Sequence, residues 1–174
     1  MPRRVGPCEE GSDCRRTVRD MQTREPHIVR ARLAHHAQAL EILSEYLRTV
    51  DEYAGPEQTN AELESLLPVR AGGFWLAVSG AEPLACIELR ALQADACEIK
   101  RLYVRPQARG RGIARTLIRA VEAFAREKGA RQIFLDTKST MAAAIALYER
   151  EGFVRVPPYH ETPHADVFMR KTLS

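Results

Sequence analysis

The chain is short of three things: long apolar runs, charge of one sign, and cysteines at a recognisable spacing. No window reaches 18 continuous apolar residues, so no membrane span is read from it. The opening MPRRVGPCEEGSDCRR carries arginines but no apolar stretch behind them, so no secretory leader is read there and the expected compartment is the cytoplasm. Lys plus Arg number 26 against 23 Asp plus Glu, a formal charge of +3. That excess is too small to drive nucleic-acid binding by bulk electrostatics, so neither nucleic acid nor membrane is an expected partner. The four cysteines, Cys8, Cys14, Cys86 and Cys97, match no common zinc or redox spacing. They read as ordinary reduced thiols, and no metal site is expected.

What is present fits one globular domain with a core: 174 residues, of which 45% are apolar and 28% charged. Residues 1–26 hold few large apolar side chains and read as a flexible arm, while 27–174 form the domain. HIVRAR alternates like a half-exposed strand, and Leu40, Leu43, Tyr46, Leu47 and Val50 recur at helical spacing. A short helix is expected over Ala61 to Leu67, then antiparallel strands FWLAVSG, PLACIELR and CEIKRLYV. Ile113, Leu117, Val121, Phe124 and Ala125 return to helical spacing; RQIFLDT is a strand, Met141 to Arg150 a helix, and FVRV and DVFMRK are two last strands. There is no internal repeat. The expected class is α/β, with a mixed, mostly antiparallel sheet flanked by helices.

The stretch EIKRLYVRPQARGRGIA, Glu98 to Ala114, carries the chemistry. It runs from strand through a turn with Gly110 and Gly112 into a helix. Glycines before a helix let backbone approach a ligand, and the free N–H groups and dipole of the helix start favour a phosphate. Arg109, Arg111 and Arg115 add positive field. A P-loop would need Lys and Ser or Thr after Gly112, where Ile113 and Ala114 stand. A dinucleotide fingerprint would need a small residue where Arg115 stands.

Gln107, Gly110, Gly112 and Ala114, followed by ALYEREGF over Ala146 to Phe153, resemble the two signatures of the GNAT superfamily of N-acetyltransferases, in their order and interval. The resemblance runs from about His27 to the C-terminus. It implies that acetyl-CoA is the co-substrate, cradled by Gln107, Ala108, Arg109, Gly110, Arg111, Gly112, Ile113 and Ala114. Backbone N–H groups of Leu102, Tyr103 and Val104 would face the oxyanion of acyl transfer. An amine acceptor would be acetylated by direct transfer in a ternary complex, and a second copy of the chain is a partner that the likeness allows.

Two side chains take roles from the same resemblance. Tyr148 is the acid that protonates the departing thiolate. Glu98, four residues before Leu102, stands where some relatives carry the carboxylate base; Glu88 is the second candidate, and Lys100 lies near enough to keep either ionised. Strand alternation puts Cys97, Ile99 and Tyr103 on one face and Glu98, Lys100 and Leu102 on the other. Cys97 therefore opposes Glu98 and is not read as a nucleophile. Tyr46, His35, His36, Tyr159, His160, Glu161 and His164 are candidate walls of the acceptor cleft. Many relatives carry an asparagine where Met141 stands, and that departure motivates a rival reading, a non-catalytic acyl-CoA-binding regulatory module.

Overall fold

A computed structural model describes residues 25–50, 52, 54–67 and 72–173. The arm expected over 1–26, with Cys8 and Cys14, lies outside the described residues except for its last two positions. Strand β1 spans His27–Arg30. Helix α1, His36–Thr49, buries Ala39, Ile42, Leu43 and Leu47, the i, i+3, i+4 stripe of an amphipathic helix. Helix α2, Pro56–Leu66, starts on a proline whose missing N–H costs nothing in a first turn.

Strands β2 (Gly73–Ser79), β3 (Glu82–Gln93) and β4 (Ala96–Val104) follow as an antiparallel meander. Helix α3, Ile113–Glu127, crosses back to β5, Gln132–Thr137. Helix α4 (Ala142–Arg150) and strands β6 (Val154–Val156) and β7 (Val167–Thr172) complete the chain. The seven strands form one sheet in the order β1-β2-β3-β4-β5-β7-β6. Every neighbouring pair is antiparallel except β4 with β5. This is the mostly antiparallel α/β sheet that the strand patterns predict.

Each face of the sheet has its own core. Phe74, Leu76, Val78, Cys86 and Tyr103 pack against α1 and against Leu63 of α2. On the other face Trp75, Ala77, Ile87, Cys97, Ile99, Ile133 and Leu135 pack with Leu117, Ile118 and Val121 of α3 and Tyr148 of α4.

One expectation fails in β4. Tyr103 does not share a face with Cys97 and Ile99; it lies in the α1 core, while Leu102 and Val104 pack on the α3 side. The cause is a bulge. Cys86 pairs with Tyr103 and Glu88 with Lys100, so three steps on β4 oppose two on β3. The extra residue is Arg101, a non-glycine at φ 53. Because side chains alternate with period two, one inserted residue exchanges the faces of everything beyond it.

Candidate active site

The bulge coincides with a parting of the sheet. β4 and β5 pair from Ala96 with Gln132 to Ile99 with Leu135, and no pairing continues past Ile99 although β4 runs on to Val104. The backbone of Lys100 to Val104 is thus left without a strand on its β5 side. Lys100, Arg101, Leu102 and Val104 are half-buried although β4 is a central strand, as the wall of an open cleft would be. Leu102, Tyr103 and Val104, the residues whose amides were expected to face an oxyanion, lie on this free stretch.

The glycine turn closes one end of the cleft. Pro106–Ala108 form a 3-10 turn pegged by buried Ala108, and Gln107 beside it is exposed. Gly110 and Gly112 then sit at φ 74 and φ 76, and a Cβ at either would meet nothing within 4 Å. The backbone conformation, not crowding, demands glycine here, at a penalty of about 1–2 kcal/mol for any L side chain. The space above stays open for a ligand. Gly112 is the N-cap of α3, and no side chain caps the helix. The first N–H groups of α3, at Ile113 and Ala114, therefore point outward with the positive end of the dipole behind them. A diphosphate fits such a start.

The arginines around it divide. Arg111 is exposed beside the glycines. Arg109 Nε donates to the Val104 carbonyl at 3.1 Å, tying the turn to the end of β4. Arg115, one of the arginines that add positive field, has its Nε 2.7 Å from Glu151 Oε1, and Arg119 approaches the same carboxylate at 3.3 Å. These two fasten α3 to the end of α4.

Tyr148 comes from the α3 side. It is buried on α4, with its ring edge-on to Phe153 at 5.8 Å between centroids. Burial lifts its phenol well above the ordinary tyrosine range, and nearby Tyr46 and Asp136 add to the rise. It is a protonated hydroxyl at neutral pH. Met141 is the N-cap residue of the same helix and is 53% exposed.

Glu98 stands on the opposite face, fully buried. Arg90 Nε donates to its Oε2 at 2.7 Å and Tyr159 Oη to its Oε1 at 2.7 Å, with Lys100 Nζ 3.3 Å from Oε1. Burial alone would push this carboxylate up. The Tyr159 hydrogen bond and the Lys100 and Arg90 charges outweigh it and hold Glu98 below its ordinary value. Glu88, the second carboxylate candidate, is taken by Arg101, whose guanidinium also pairs with Glu62 of α2. Lys100 serves Glu98 and not Glu88. Burial pushes the Cys97 thiol up, and its place among the α3-side core residues sets it against Glu98 across the sheet, as expected.

Of the proposed acceptor walls, Tyr159 and His160 pack beside Glu98, and His160 also beside Asp136. Tyr46 lies tilted against Tyr103 in the α1-side core, with 6.1 Å between ring centroids. Its phenol is pushed up to about 12, by burial first and then by Glu52. Tyr103 donates to Glu45 Oε1 at 2.8 Å and is likewise raised to about 12, by burial first and then by that bond. Tyr159 packs edge-on against Phe134 and Phe168. His35 belongs to the turn before α1, where its Nδ1 accepts from the Arg32 amide, and exposed His164 pairs loosely with Glu52.

The patterns missed Asp136. It sits one residue past the last β4–β5 pair, with Lys100 Nζ 2.6 Å from Oδ1 and His160 Nε2 3.2 Å from Oδ2. A charge closing the apolar run QIFL was the available signal. Polar atoms of Glu98, Asp136 and His160 lie within 4.8 Å of one another, and the cation set against the two carboxylates is the Lys100 ammonium, 3.3 Å from Glu98 Oε1 and 2.6 Å from Asp136 Oδ1. Among the described residues, no helix is long and apolar enough to cross a membrane.

Comparison with known proteins bears on this cleft. The sequence model of the Acetyltransferase (GNAT) family matches residues 37–153. An uncharacterized N-acetyltransferase of Schizosaccharomyces pombe is 37% identical over 79 residues, 45% of this chain and 48% of that protein. The chain thus spans about half the length of the curated relatives it matches. The crystal structure of a GNAT-family acetyltransferase from Staphylococcus aureus Mu50 superposes with a TM-score of 0.72 at 20% identity, over 86% of this chain and 100% of that one. The PaiA N-acetyltransferase of Thermoplasma acidophilum, solved in complex with coenzyme A, superposes with a TM-score of 0.63 at 18% identity, over 85% and 99%.

Proposed function

Because the chain belongs to the acetyltransferase (GNAT) family, we propose that it moves the acetyl group of acetyl-CoA to a primary amine, directly, within a ternary complex. One observation carries the reading: two left-handed glycines and an uncapped helix start lie at the mouth of a gap between the paired central strands. Amides of Gly110 to Ala114 hold the diphosphate, with Gln107, Ala108 and Arg109 shaping the turn and Arg111 adding charge. The free backbone of Leu102 to Val104 stabilises the oxyanion, where preorganised donors are worth most.

Tyr148 and Glu98 divide the proton work. A lysine-like amine has a pKa near 10.4 and must lose a proton before it attacks. In this reading Glu98, kept ionised by Arg90 and Lys100, is the carboxylate that anchors base chemistry on the α1 side. The amine nitrogen bonds to the acetyl carbonyl carbon, the carbon–sulfur bond breaks, the Tyr148 hydroxyl gives its proton to the thiolate, and the proton that the nitrogen sheds in becoming an amide restores the phenol. A buried, protonated phenol suits that donor. The reaction belongs in the cytoplasm, where buried thiols such as Cys86 and Cys97 stay reduced.

The rival, a cofactor-binding regulatory module, rests on exposed Met141 in the place where many relatives keep asparagine. Calorimetry with acetyl-CoA, followed by free-thiol release across a panel of amines, separates the two. Binding with thiol release supports transfer; binding without release from any amine supports the module; no binding overturns both.

A further inference from the structure

The acceptor face holds a histidine whose geometry the reaction so far does not use. His160 lies in the connection between β6 and β7, with its ring edge-on to Tyr159 at 4.8 Å and to Phe168 at 5.4 Å. Its Nδ1 is 3.3 Å from the Glu161 carbonyl oxygen, which can only accept, so Nδ1 carries a hydrogen there. Nε2 is buried without a well-aligned hydrogen bond, yet it lies 3.2 Å from Asp136 Oδ2 and 3.5 Å from Glu98 Oε1. With Nδ1 carrying the hydrogen, the Nε2 lone pair lies 3.2 Å from Asp136 Oδ2, close enough to take a proton that Asp136 has received. The side chain is also 30% exposed, while Glu98 has no exposure and Asp136 has 10%.

We propose that Asp136 and His160 form the proton outlet of the acceptor cleft: Asp136 takes a proton from the bound ammonium, and His160 passes it to solvent. The proposal rests on the amine-transfer reading and refines its base. Two observations favour Asp136 over Glu98 as the group that meets the amine. Glu98 already has Arg90, Lys100, Tyr159 and His160 around it and no exposed surface. Asp136 stands where β4 and β5 part, which is the opening of the cleft.

The charged groups facing His160 are Glu98 and Lys100 from β4 and Asp136 from β5, with Arg90 of β3 behind Glu98. Arg170, on the same side of β7, is engaged by Gln132 at 3.3 Å. Lys100 keeps Asp136 in place through Oδ1 and leaves Oδ2 to the histidine. R–NH3+ loses one proton through Asp136 and His160 to water, and the free amine forms the C–N bond as the C–S bond breaks. Tyr148 gives its proton to the thiolate, and the second proton lost by the nitrogen as the amide forms restores the phenol.

The test uses the full chain with acetyl-CoA and a panel of a polyamine, an aromatic amine, an α-amino acid and a lysyl peptide, with thiol release as the readout. Coenzyme A affinity serves as the check on folding. His160→Ala should lower kcat by roughly 10²-fold in dilute buffer, the usual scale of acid–base assistance. Added imidazole should recover much of it. His160→Phe keeps the ring contacts but not the nitrogens and should be as slow as the alanine variant. Asp136→Asn should be at least as slow and deaf to imidazole. Wild-type rates in His160→Phe, or a His160→Ala enzyme that imidazole leaves unchanged, would overturn the outlet while leaving the transfer reading standing. Wild-type protein that binds coenzyme A and frees thiol with none of the amines would overturn the transfer reading, and the outlet with it.

Discussion

The two halves of the cleft are made of different material. On the α3 side the anion site is backbone: two left-handed glycines, a helix start with no side-chain cap, and a free strand edge, all within Lys100 to Ala114. On the α1 side the site is side-chain charge: Arg90, Glu98, Lys100, Asp136 and His160, drawn from three strands and a connection. Amides cannot be titrated or rotated away, so the first half is fixed by chain path. The second half depends on partners that must balance, and it alone can respond to pH or to a change of acceptor.

The contrast can be broken most forcefully at the acid between the halves. Tyr148→Phe should cut thiol release by roughly 10²- to 10⁴-fold. Coenzyme A binding, measured by calorimetry, should hardly change; loss of affinity with unchanged turnover would place Tyr148 in cofactor binding instead. On the backbone side, Gly112→Val should cost about 1–2 kcal/mol of stability from its left-handed φ. It should also weaken coenzyme A binding by an order of magnitude or more through crowding of the amides. Thermal unfolding and calorimetry read the two effects separately.

The charged half should show itself in acid. Glu98 is held below its ordinary value, so its ion pairs contribute stability above the unfolded glutamate pKa near 4.3, and that contribution is lost as pH falls through the folded value. Unfolding followed from pH 6 down to pH 2 should therefore show an acid limb that Glu98→Gln flattens. A variant with the same limb would separate Glu98 from acid stability. The smallest effect belongs to Arg115. Its side chain is 56% exposed and paired with Glu151, so Arg115→Ala should change stability by no more than about 1 kcal/mol. It should also leave coenzyme A affinity near wild type; a large fall would return Arg115 to the phosphate.

How far the chain could be read from its residues follows the same division. The glycine turn and the ALYEREGF helix are local, so residue type and spacing place them before any tertiary contact is known. Most strands and helices follow from periodicity for the same reason; α2 does not, since it runs from Pro56 to Leu66 where a helix was expected only from Ala61, and Pro56 opens its first turn where a proline costs little. Asp136 and His160 meet across 24 positions of chain, through a sheet order in which β7 lies next to β5, and no local pattern encodes that meeting. The bulge was equally hidden. Arg101 is not a glycine, so nothing at its position marks a left-handed residue, and simple alternation put Tyr103 on the wrong face. What holds Arg101 there is the pairing of its guanidinium with Glu88 and Glu62, which arrive from β3 and α2.

That inserted residue gives β4 two reading frames. Upstream of it, charge looks toward α1 and hydrocarbon toward α3; downstream, the aromatic Tyr103 looks toward α1 while Leu102 and Val104 look the other way. Removing Arg101 would merge the frames, turning Tyr103 into the opposite layer and straightening the strand back toward β5. A protein engineer could therefore exchange acceptor-side residues ahead of the kink with little disturbance to the coenzyme pocket behind it, provided the kink itself is kept.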